Sequence, residues 1–330
     1  MNLTRGRLDA KRAAAACLCV VAVAAAWVVV ADEPWSDGPT VTVATPSAAP
    51  PAVAVPGSIA PVAKHAPGAE AQKYALGPRP AHLPVQVEFD KPPAAGVLFD
   101  VDSGDILWQK APTRELPIAS LTKMMTALLI VERHRPGEKV LITDEALAYE
   151  GSGVGVLPGG KKVRLEAMLN GLLLVSGNDA AIALAQHDAG SVGNFVTRMN
   201  RRARELGLTC THFTSPHGLQ DAGNYSCPRD LAALARADLS EPRIRAIVGD
   251  DHAHLPFPIK GGFLDLWNNN PFIQNGTPGI TGLKTGYTAA AGRCYVITRR
   301  IGGRHLGVVL LDSPHPLPQI TQLMQEGAGA

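Results

Sequence analysis

The sequence lacks two motifs that mark large classes of hydrolase. Neither Gly-x-Ser-x-Gly, the turn that carries the serine of α/β-hydrolases, nor His-Glu-x-x-His, the zinc-binding helix of metallopeptidases, occurs among its 330 residues. It also lacks an excess of one charge. The net charge is +2, and no cluster of Lys and Arg is dense enough to indicate a nucleic-acid partner. The apolar share of 46% is sufficient for a sizeable core.

Cysteine is sparse, and the two cysteines nearest the N-terminus lie in an apolar segment there. Cys210 and Cys227 flank one loop, and we expect them to form a disulfide if the domain lies outside the cytoplasm. Together with His212 and His217 they also resemble a zinc set, but their spacing is irregular and a disulfide accounts for both thiols. Cys294 has apolar neighbours, which favours a buried thiol.

The N-terminal segment, residues 1–31, combines a basic start with an unbroken uncharged run. That run, residues 13–31, has 19 residues, just enough to cross a hydrocarbon layer of about 30 Å. The positive flank is expected to stay in the cytoplasm, which places the rest of the chain outside. The segment is either a retained single-span anchor or a cleaved signal peptide. The run is long for a signal peptide, which favours attachment to the membrane.

Residues 32–93 have the composition of a linker. This stretch holds 13 of the 27 prolines, mixed with Ala, Val, Ser and Gly, and such a sequence acts as an extended, semi-rigid spacer. The folded domain is therefore expected to cover residues 94–330.

The pattern of this domain changes twice along the chain. It opens with a hairpin, continues with apolar helical runs, and returns to short strands separated by turn residues. This order predicts an α+β fold, in which strands from the two ends of the domain share one antiparallel sheet beside a mainly helical subdomain. The predicted strands are 95–101, 106–108, 279–287, 293–299 and 306–311, and the predicted helices include 117–132, 165–175, 179–186, 193–206 and 321–325.

The first candidate site is the start of the helix predicted over PIASLTKMMTALLIVE, residues 117–132. Ser120 and Lys123 are spaced i and i+3, so their side chains share one face. A hydroxyl is a poor nucleophile until a base removes its proton, and a lysine in an apolar setting can lose its charge and act as that base. Alone, the spacing is a weak signal and favours an ordinary lysine at the edge of a buried helix.

Two further segments carry polar residues at structural junctions. Ser176-Gly-Asn178 lies between two helical runs, where either side chain could simply cap the next helix. Lys284-Thr285-Gly286 begins a late strand, where a lysine could simply oppose edge pairing. The functional alternative is a second hydroxyl that relays a proton, an amide that positions a substrate, and a cation and hydroxyl aimed at a carboxylate.

Ser-x-x-Lys, Ser-x-Asn and Lys-Thr-Gly in this order are the signature of serine-active penicillin-binding enzymes. With PHGL and GLKTGYTAAAGRCYV, the chain resembles the D-alanyl-D-alanine carboxypeptidases of the low-molecular-mass penicillin-binding type, over roughly residues 94–311. The resemblance implies a β-lactamase-like fold, an extracytoplasmic enzyme of the bacterial cell envelope, and peptidoglycan stem peptides and β-lactam antibiotics as its partners. It implies no cofactor and no metal.

The same resemblance implies a role for each motif residue. Ser120 attacks the carbonyl of the penultimate D-alanine, Lys123 is the general base, and Ser176 carries a proton toward the leaving amine. The substrate-binding residues are expected to be the amide of Asn178, the side chains of Lys284 and Thr285, and the backbone of Gly286 and Tyr287. The oxyanion hole is expected to consist of the backbone N–H groups of Ser120 and Tyr287.

Two departures from the family accompany these expectations. The resembling enzymes often have an arginine just before the last helix, near the substrate carboxylate, but that region reads LDSPHPLPQITQLM here. His315 or solvent is expected to take its place. Many relatives also carry a C-terminal β domain with an amphipathic anchor, and in this chain the N-terminal segment is expected to take over the anchoring.

Two rival functions use the same three motifs. A class A β-lactamase would need a deacylating glutamate and usually an aspartate where this chain has Gly177, and no convincing glutamate is found. A β-lactam sensor would stay acylated and would need a cytoplasmic output domain, for which the 12 residues before the apolar run are too few.

Overall fold

The computed structural model describes residues 68–78, 81–219 and 222–330. The predicted membrane segment and most of the predicted linker lie outside these residues. Within the described ranges, no helix combines the length and apolar character needed to cross a bilayer.

The described chain alternates short strands and helices. The strands are β1 Ala95–Asp100, β2 Ile106–Lys110, β3 Leu116–Pro117, β4 Lys139–Leu141, β5 Lys162–Arg164, β6 Tyr225–Ser226, β7 His252–Pro256, β8 Phe263–Trp267, β9 Ile280–Thr288, β10 Gly292–Ile301 and β11 Arg304–Leu311. The helices are α1 Ala69–Tyr74, α2 Lys123–Arg133, α3 Asp144–Leu147, α4 Leu165–Leu173, α5 Asn178–Ala189, α6 Val192–Glu205, α7 Pro228–Ser240, α8 Pro242–Gly249, α9 Pro271–Gln274 and α10 Pro316–Ala328, and a 3₁₀ turn covers Ala119–Thr122.

The central sheet has five antiparallel strands in the order β2-β1-β11-β10-β9. Strand β11 lies in the middle, so that Val309 pairs with Val97 on one side and Val296 on the other. Successive side chains in a strand face opposite sides of the sheet. Those of one face pack on the helical subdomain, and those of the other face pack on α10. The prediction of an α+β fold whose sheet joins both ends of the domain is therefore confirmed.

Helix α2 is the centre of the helical subdomain. Its residues from Lys123 to Ile130 are all buried, and it contacts helices α4 to α8. A helix that is enclosed on all sides must be apolar around its whole circumference, which the sequence MMTALLI provides. The one charged side chain in this buried stretch is that of Lys123, so its environment determines its chemistry.

Part of the predicted linker belongs to the folded domain. Helix α1 lies within the 32–93 segment, and Tyr74, Leu76, Val85 and Val87 are buried against the domain. The carbonyl of Val87 accepts a hydrogen bond of 3.1 Å from the Trp108 indole. The proline content of this segment obscures the alternation of apolar residues that places 83–87 along the edge of β2.

The C-terminal helix is longer than predicted, since α10 spans Pro316–Ala328 rather than 321–325. Its two prolines lie in the first turn, where a missing backbone N–H costs little. The sequence patterns also do not predict the β7–β8 hairpin, whose exposed face carries Phe263 and Trp267 as well as Asp265.

Candidate active site

Ser120 lies on the 3₁₀ turn that connects β3 to α2 rather than in the first turn of a regular α-helix. Ala119 before it has a left-handed φ of 48°, a conformation that disfavours side chains by about 1–2 kcal/mol. The turn is held by a 2.8 Å hydrogen bond from the Thr122 hydroxyl to the Ala119 carbonyl. Gly218 packs against the same carbonyl so tightly that a Cβ at 218 would lie 1.9 Å from its oxygen. The Ser120 side chain is thereby directed into the cleft beside β9.

Lys123 is fully buried beneath Ser120. Its Nζ lies 3.0 Å from the Ser120 hydroxyl oxygen, 2.7 Å from Oδ1 of Asn178 and 2.8 Å from the backbone oxygen of His217. Oδ1 of Asn178 and the His217 carbonyl can only accept hydrogen bonds. In the neutral amine these two oxygens take both N–H bonds, and the lone pair is left facing the serine hydroxyl. This arrangement suits proton removal from Ser120.

The electrostatic surroundings favour the neutral amine. Burial holds the pKa of Lys123 well below its ordinary value, and the nearby charge of Lys284 lowers it further, against a smaller opposing effect of Asp179. Burial also lowers the pKa of Lys284 to about 7. Burial and the neighbouring Lys123 lower the pKa of His217 to about 4, so this imidazole is neutral at pH 7.

Ser176 and Asn178 approach the same amine from the α4–α5 junction. Ser176 is buried, has a left-handed φ of 62°, and within the described residues its hydroxyl has no hydrogen-bond partner. The Asn178 side chain is engaged at both ends, because its amide nitrogen donates to the Glu150 carbonyl at 2.6 Å. The Asn178 amide is therefore turned toward Lys123 and the protein interior, while Ser176 is one of the residues that line the cleft.

Strand β9 forms the opposite wall. Lys284 is buried, and its amine donates to the backbone oxygen of Thr285 at 2.9 Å. Gly286 lies against the Ser120 turn, whereas the Tyr287 side chain is 69% exposed. The cleft between these segments has a volume of about 310 Å³, and Ser120, Ser176, Thr285, Gly286 and Tyr287 all line it.

The structure thus brings the three predicted motifs together. Lys123, Asn178 and Lys284 are buried beneath the cleft, and the other predicted site residues of these motifs form its surface. Cys210 and Cys227 lie apart from this surface and form a disulfide with each other. This bridge closes the loop that carries the His217 carbonyl, a contact that the sequence motifs do not reveal.

Sequence reasoning missed four residues that line the cleft, namely Ser152, Asn269, Arg293 and Tyr295. The GSGVG stretch around Ser152 is held over the site by the buried carboxylate of Asp179, which accepts hydrogen bonds of 3.0 Å from two of its backbone nitrogens. Strand pairing brings Arg293 and Tyr295 to the cleft, because they lie opposite Tyr287 and Thr285. A period-2 alternation on β10 is the signal from which they could have been found.

A serine hydroxyl beside a buried amine whose pKa is lowered, with a second hydroxyl and an edge strand next to them, can form and resolve an acyl intermediate. This arrangement is typical of an acyl-transfer enzyme that uses a serine nucleophile. The sequence profile described as D-alanyl-D-alanine carboxypeptidase matches residues 88–315. The chain belongs to this family of serine-type carboxypeptidases.

Individual relatives agree with this assignment. The chain is 34% identical over 234 residues to D-alanyl-D-alanine carboxypeptidase DacF of Bacillus subtilis, a match that covers 69% of this chain and 59% of the relative. The solved D-alanyl-D-alanine carboxypeptidase of Mycobacterium tuberculosis superposes with a TM-score of 0.70 at 31% identity, covering 77% of this chain and 97% of that one. The Streptomyces K15 DD-transpeptidase gives a TM-score of 0.68 at 29% identity, over 74% and 100% of the two chains.

Proposed function

We propose that this protein removes the terminal D-alanine from peptidoglycan stem peptides through a Ser120 acyl-enzyme, and that β-lactams acylate the same serine. The observation that carries the proposal is the 3.0 Å contact between Lys123 Nζ and the Ser120 hydroxyl, with the other two directions of the amine occupied by carbonyl oxygens. The family assignment supports the choice of the D-Ala-D-Ala bond.

Acylation begins when Ser120 Oγ attacks the carbonyl of the penultimate D-alanine. Lys123 takes the hydroxyl proton, and the negative oxygen of the tetrahedral intermediate is bound by the backbone N–H groups of Ser120 and Tyr287. The C–N bond then breaks. The departing nitrogen receives a proton from Lys123 through the hydroxyl of Ser176, a residue that lines the cleft and whose Oγ has no hydrogen-bond partner among the described residues. Free D-alanine leaves, and the peptide remains as an ester on Ser120.

Deacylation reverses these proton movements. Water loses a proton to Lys123 as it attacks the ester, and the proton returns to Ser120 Oγ as the acyl group departs. A β-lactam reacts by the same first step, but its leaving nitrogen stays attached to the acyl group. It therefore remains in the cleft and slows the approach of water.

Asn178 is assigned a positioning role in this scheme. Its Oδ1 holds one N–H of Lys123 at 2.7 Å, and its amide nitrogen is fixed by the Glu150 carbonyl. Thr285 and the backbone of Gly286 and Tyr287 bind the extended substrate along the β9 edge. Lys284 is assigned an electrostatic role, because burial lowers the pKa of Lys123 most and the charge of Lys284 lowers it further.

The enzyme is proposed to act outside the cytoplasmic membrane, where peptidoglycan lies, and the Cys210–Cys227 disulfide fits an oxidising compartment. Retention of the N-terminal segment as an anchor is part of the proposal and rests on its charge pattern. Fractionation of cells tests it: full-length protein in the membrane fraction is expected, and a shortened soluble form would identify a signal peptide instead.

The function is tested by incubating the purified full chain with a pentapeptide that ends in D-Ala-D-Ala. Free D-alanine is expected from the wild type and from Ser103→Ala, a control in an exposed turn, but not from Ser120→Ala. Lys123→Ala is expected to resist labelling by penicillin. Equal release by Ser120→Ala would overturn the proposal. Release of D-alanine only when an amine acceptor is supplied would indicate a transpeptidase, as in the Streptomyces relative.

A further inference from the structure

The terminal carboxylate of such a peptide needs a cation that stays charged at pH 7. Lys284 is poorly suited, because burial lowers its pKa to about 7 and its amine donates to the Thr285 backbone oxygen. His315 does not take this position. It lines a separate cavity of about 330 Å³ with residues of the 89–91 segment and α10. The carboxylate-binding cation must therefore come from another part of the cleft.

Arg293 is the guanidinium on the cleft surface. It lies on β10 directly opposite Tyr287, and Tyr295 lies opposite Thr285. Paired residues on antiparallel strands project to the same face of the sheet, so these four side chains share one face, the face on which α10 packs. All four residues also line the cleft along the β9 edge. Burial raises the pKa of Tyr295, and the charge of Arg293 opposes this rise. The charge of the Arg293 guanidinium is therefore felt at Tyr295, the residue paired with Thr285.

The guanidinium is also available for a ligand. Arg293 is exposed, and its Nη1 makes one long contact of 3.4 Å to the Pro314 carbonyl. Among the described residues, the ion pairs of arginine involve other arginines, and no carboxylate lies within ion-pair distance of Arg293. Pro314 belongs to the loop immediately before α10, the position from which the resembling enzymes often supply an arginine. The guanidinium of Arg293 on β10 thus contacts the loop before α10, the loop from which the resembling enzymes often supply an arginine.

We propose that Arg293, together with the Thr285 hydroxyl, binds the terminal carboxylate of the acyl-donor peptide in place of the arginine that precedes the last helix in related enzymes. The inference rests on the proposed function. Arginine keeps its charge at any relevant pH, and its planar group matches both oxygens of a carboxylate. The ligand of this subsite is a C-terminal carboxylate in the D-alanyl position, and Arg293 selects for it rather than taking part in the chemistry.

The test compares two peptides that differ only at this group, one ending in D-Ala-D-Ala with a free carboxylate and one ending in its carboxamide. The ratio of their kcat/KM values, acid over amide, is measured on the full chain. Arg293→Gln is expected to reduce this ratio roughly 10- to 100-fold, mostly through the KM of the acid, because a charged hydrogen-bonded pair is lost. Arg293→Lys is expected to give an intermediate ratio, since it keeps the charge without the planar fork.

Two control variants match this design. Arg299 lies on the same strand and also donates to one carbonyl, that of Pro278 at 2.9 Å, but it does not line the cleft. Arg299→Gln and His315→Ala are both expected to keep the wild-type ratio. An unchanged ratio in Arg293→Gln overturns the inference, as does a selective loss in His315→Ala. If the wild type cleaves neither peptide, the proposed function fails instead, so the two failures are distinguishable.

Discussion

Gly286 lies against the backbone nitrogen of Ser120, and a Cβ at position 286 would lie 2.9 Å from that nitrogen. It would also lie 3.2 Å from the side chain of Ala119. The Ser120 N–H is the proposed oxyanion donor, so an added methyl group would occupy the space of the substrate oxygen or displace the turn.

Gly286→Ala is therefore expected to reduce acylation about 100-fold or more, the usual effect of losing an oxyanion donor. The second-order rate of labelling by a fluorescent penicillin measures it. Gly193→Ala in α6 is the matched control, because nothing lies within 4 Å of a Cβ at that position and alanine favours a helix. Labelling of Gly286→Ala at the wild-type rate would show that the strand does not restrict the turn.

Ser176 is expected to contribute to catalysis and not to stability. Its hydroxyl is buried and without a partner among the described residues, so its removal breaks no hydrogen bond in the folded protein. Ser176→Ala is expected to lower D-alanine release about 100-fold, as for loss of a proton-transfer group, with no decrease in the melting temperature.

The control for this prediction is Ser226→Ala. Ser226 is also buried, but its hydroxyl is 2.8 Å from that of Thr211. This change is expected to cost about 1 kcal/mol of folding stability and to leave activity largely intact. A Ser176→Ala protein that melts early and retains its activity would assign Ser176 a purely structural role.

The two buried lysines predict a shift in the pH profile. Acylation needs Lys123 neutral, so its rate falls as the pH drops below the lowered pKa of this amine. The charge of Lys284 contributes to that lowering. Removing it in Lys284→Gln lets the pKa of Lys123 rise, and the acid limb of the profile is expected to move to higher pH. The pH dependence of penicillin labelling measures this, with exposed Lys162→Gln as control. If the acid limb of Lys284→Gln stays in place or moves to lower pH, the charge of Lys284 does not lower the pKa of Lys123 as proposed.

Much of the fold followed from local sequence patterns. The β1–β2 hairpin, the buried helix α2 and the three C-terminal strands are predicted by apolar periodicity and turn residues, because these features depend on a few adjacent positions. The β7–β8 hairpin was missed because the apolar residues Phe263 and Trp267 lie on its exposed face, so β8 shows no apolar–polar alternation. Helix α1 was missed because six residues in a proline-rich stretch carry little periodic signal.

The residues of the candidate site also fall into two groups, those recognisable from local sequence and those placed only by the assembled fold. Motif residues such as Ser120, Lys123 and Lys284 are recognisable because their spacing is local. The His217 carbonyl that orients Lys123 acts through its backbone, so no side-chain pattern marks it. The alternation of β10 assigns Arg293 to one face of that strand, but its place beside Tyr287 depends on the register of β10 against β9. A register is set by the assembled sheet rather than by either strand.

The cluster at the C-terminal end of α2 provides a prediction about folding stability. One oxygen of the Glu138 carboxylate lies 2.9 Å from His134 Nδ1 and 3.0 Å from His187 Nε2, and the other accepts the Arg135 backbone N–H at 2.7 Å. These contacts, led by the Arg135 N–H, lower the pKa of Glu138 from 4.5 to about 2. A carboxylate whose pKa falls on folding stabilises the protein above its unfolded pKa, and this contribution is lost as the pH decreases toward the folded value.

Glu138→Gln is accordingly expected to lower the free energy of unfolding at pH 7. The difference from the wild type should shrink between about pH 4.5 and pH 2, where the wild-type carboxylate becomes protonated. Urea unfolding of both proteins across this range measures it, and Glu326→Gln, on the exposed side of α10, serves as the matched control with no such pH-dependent difference. A Glu138→Gln penalty that stays constant from pH 7 to pH 2 would mean that packing, and not the charge, is what this residue contributes.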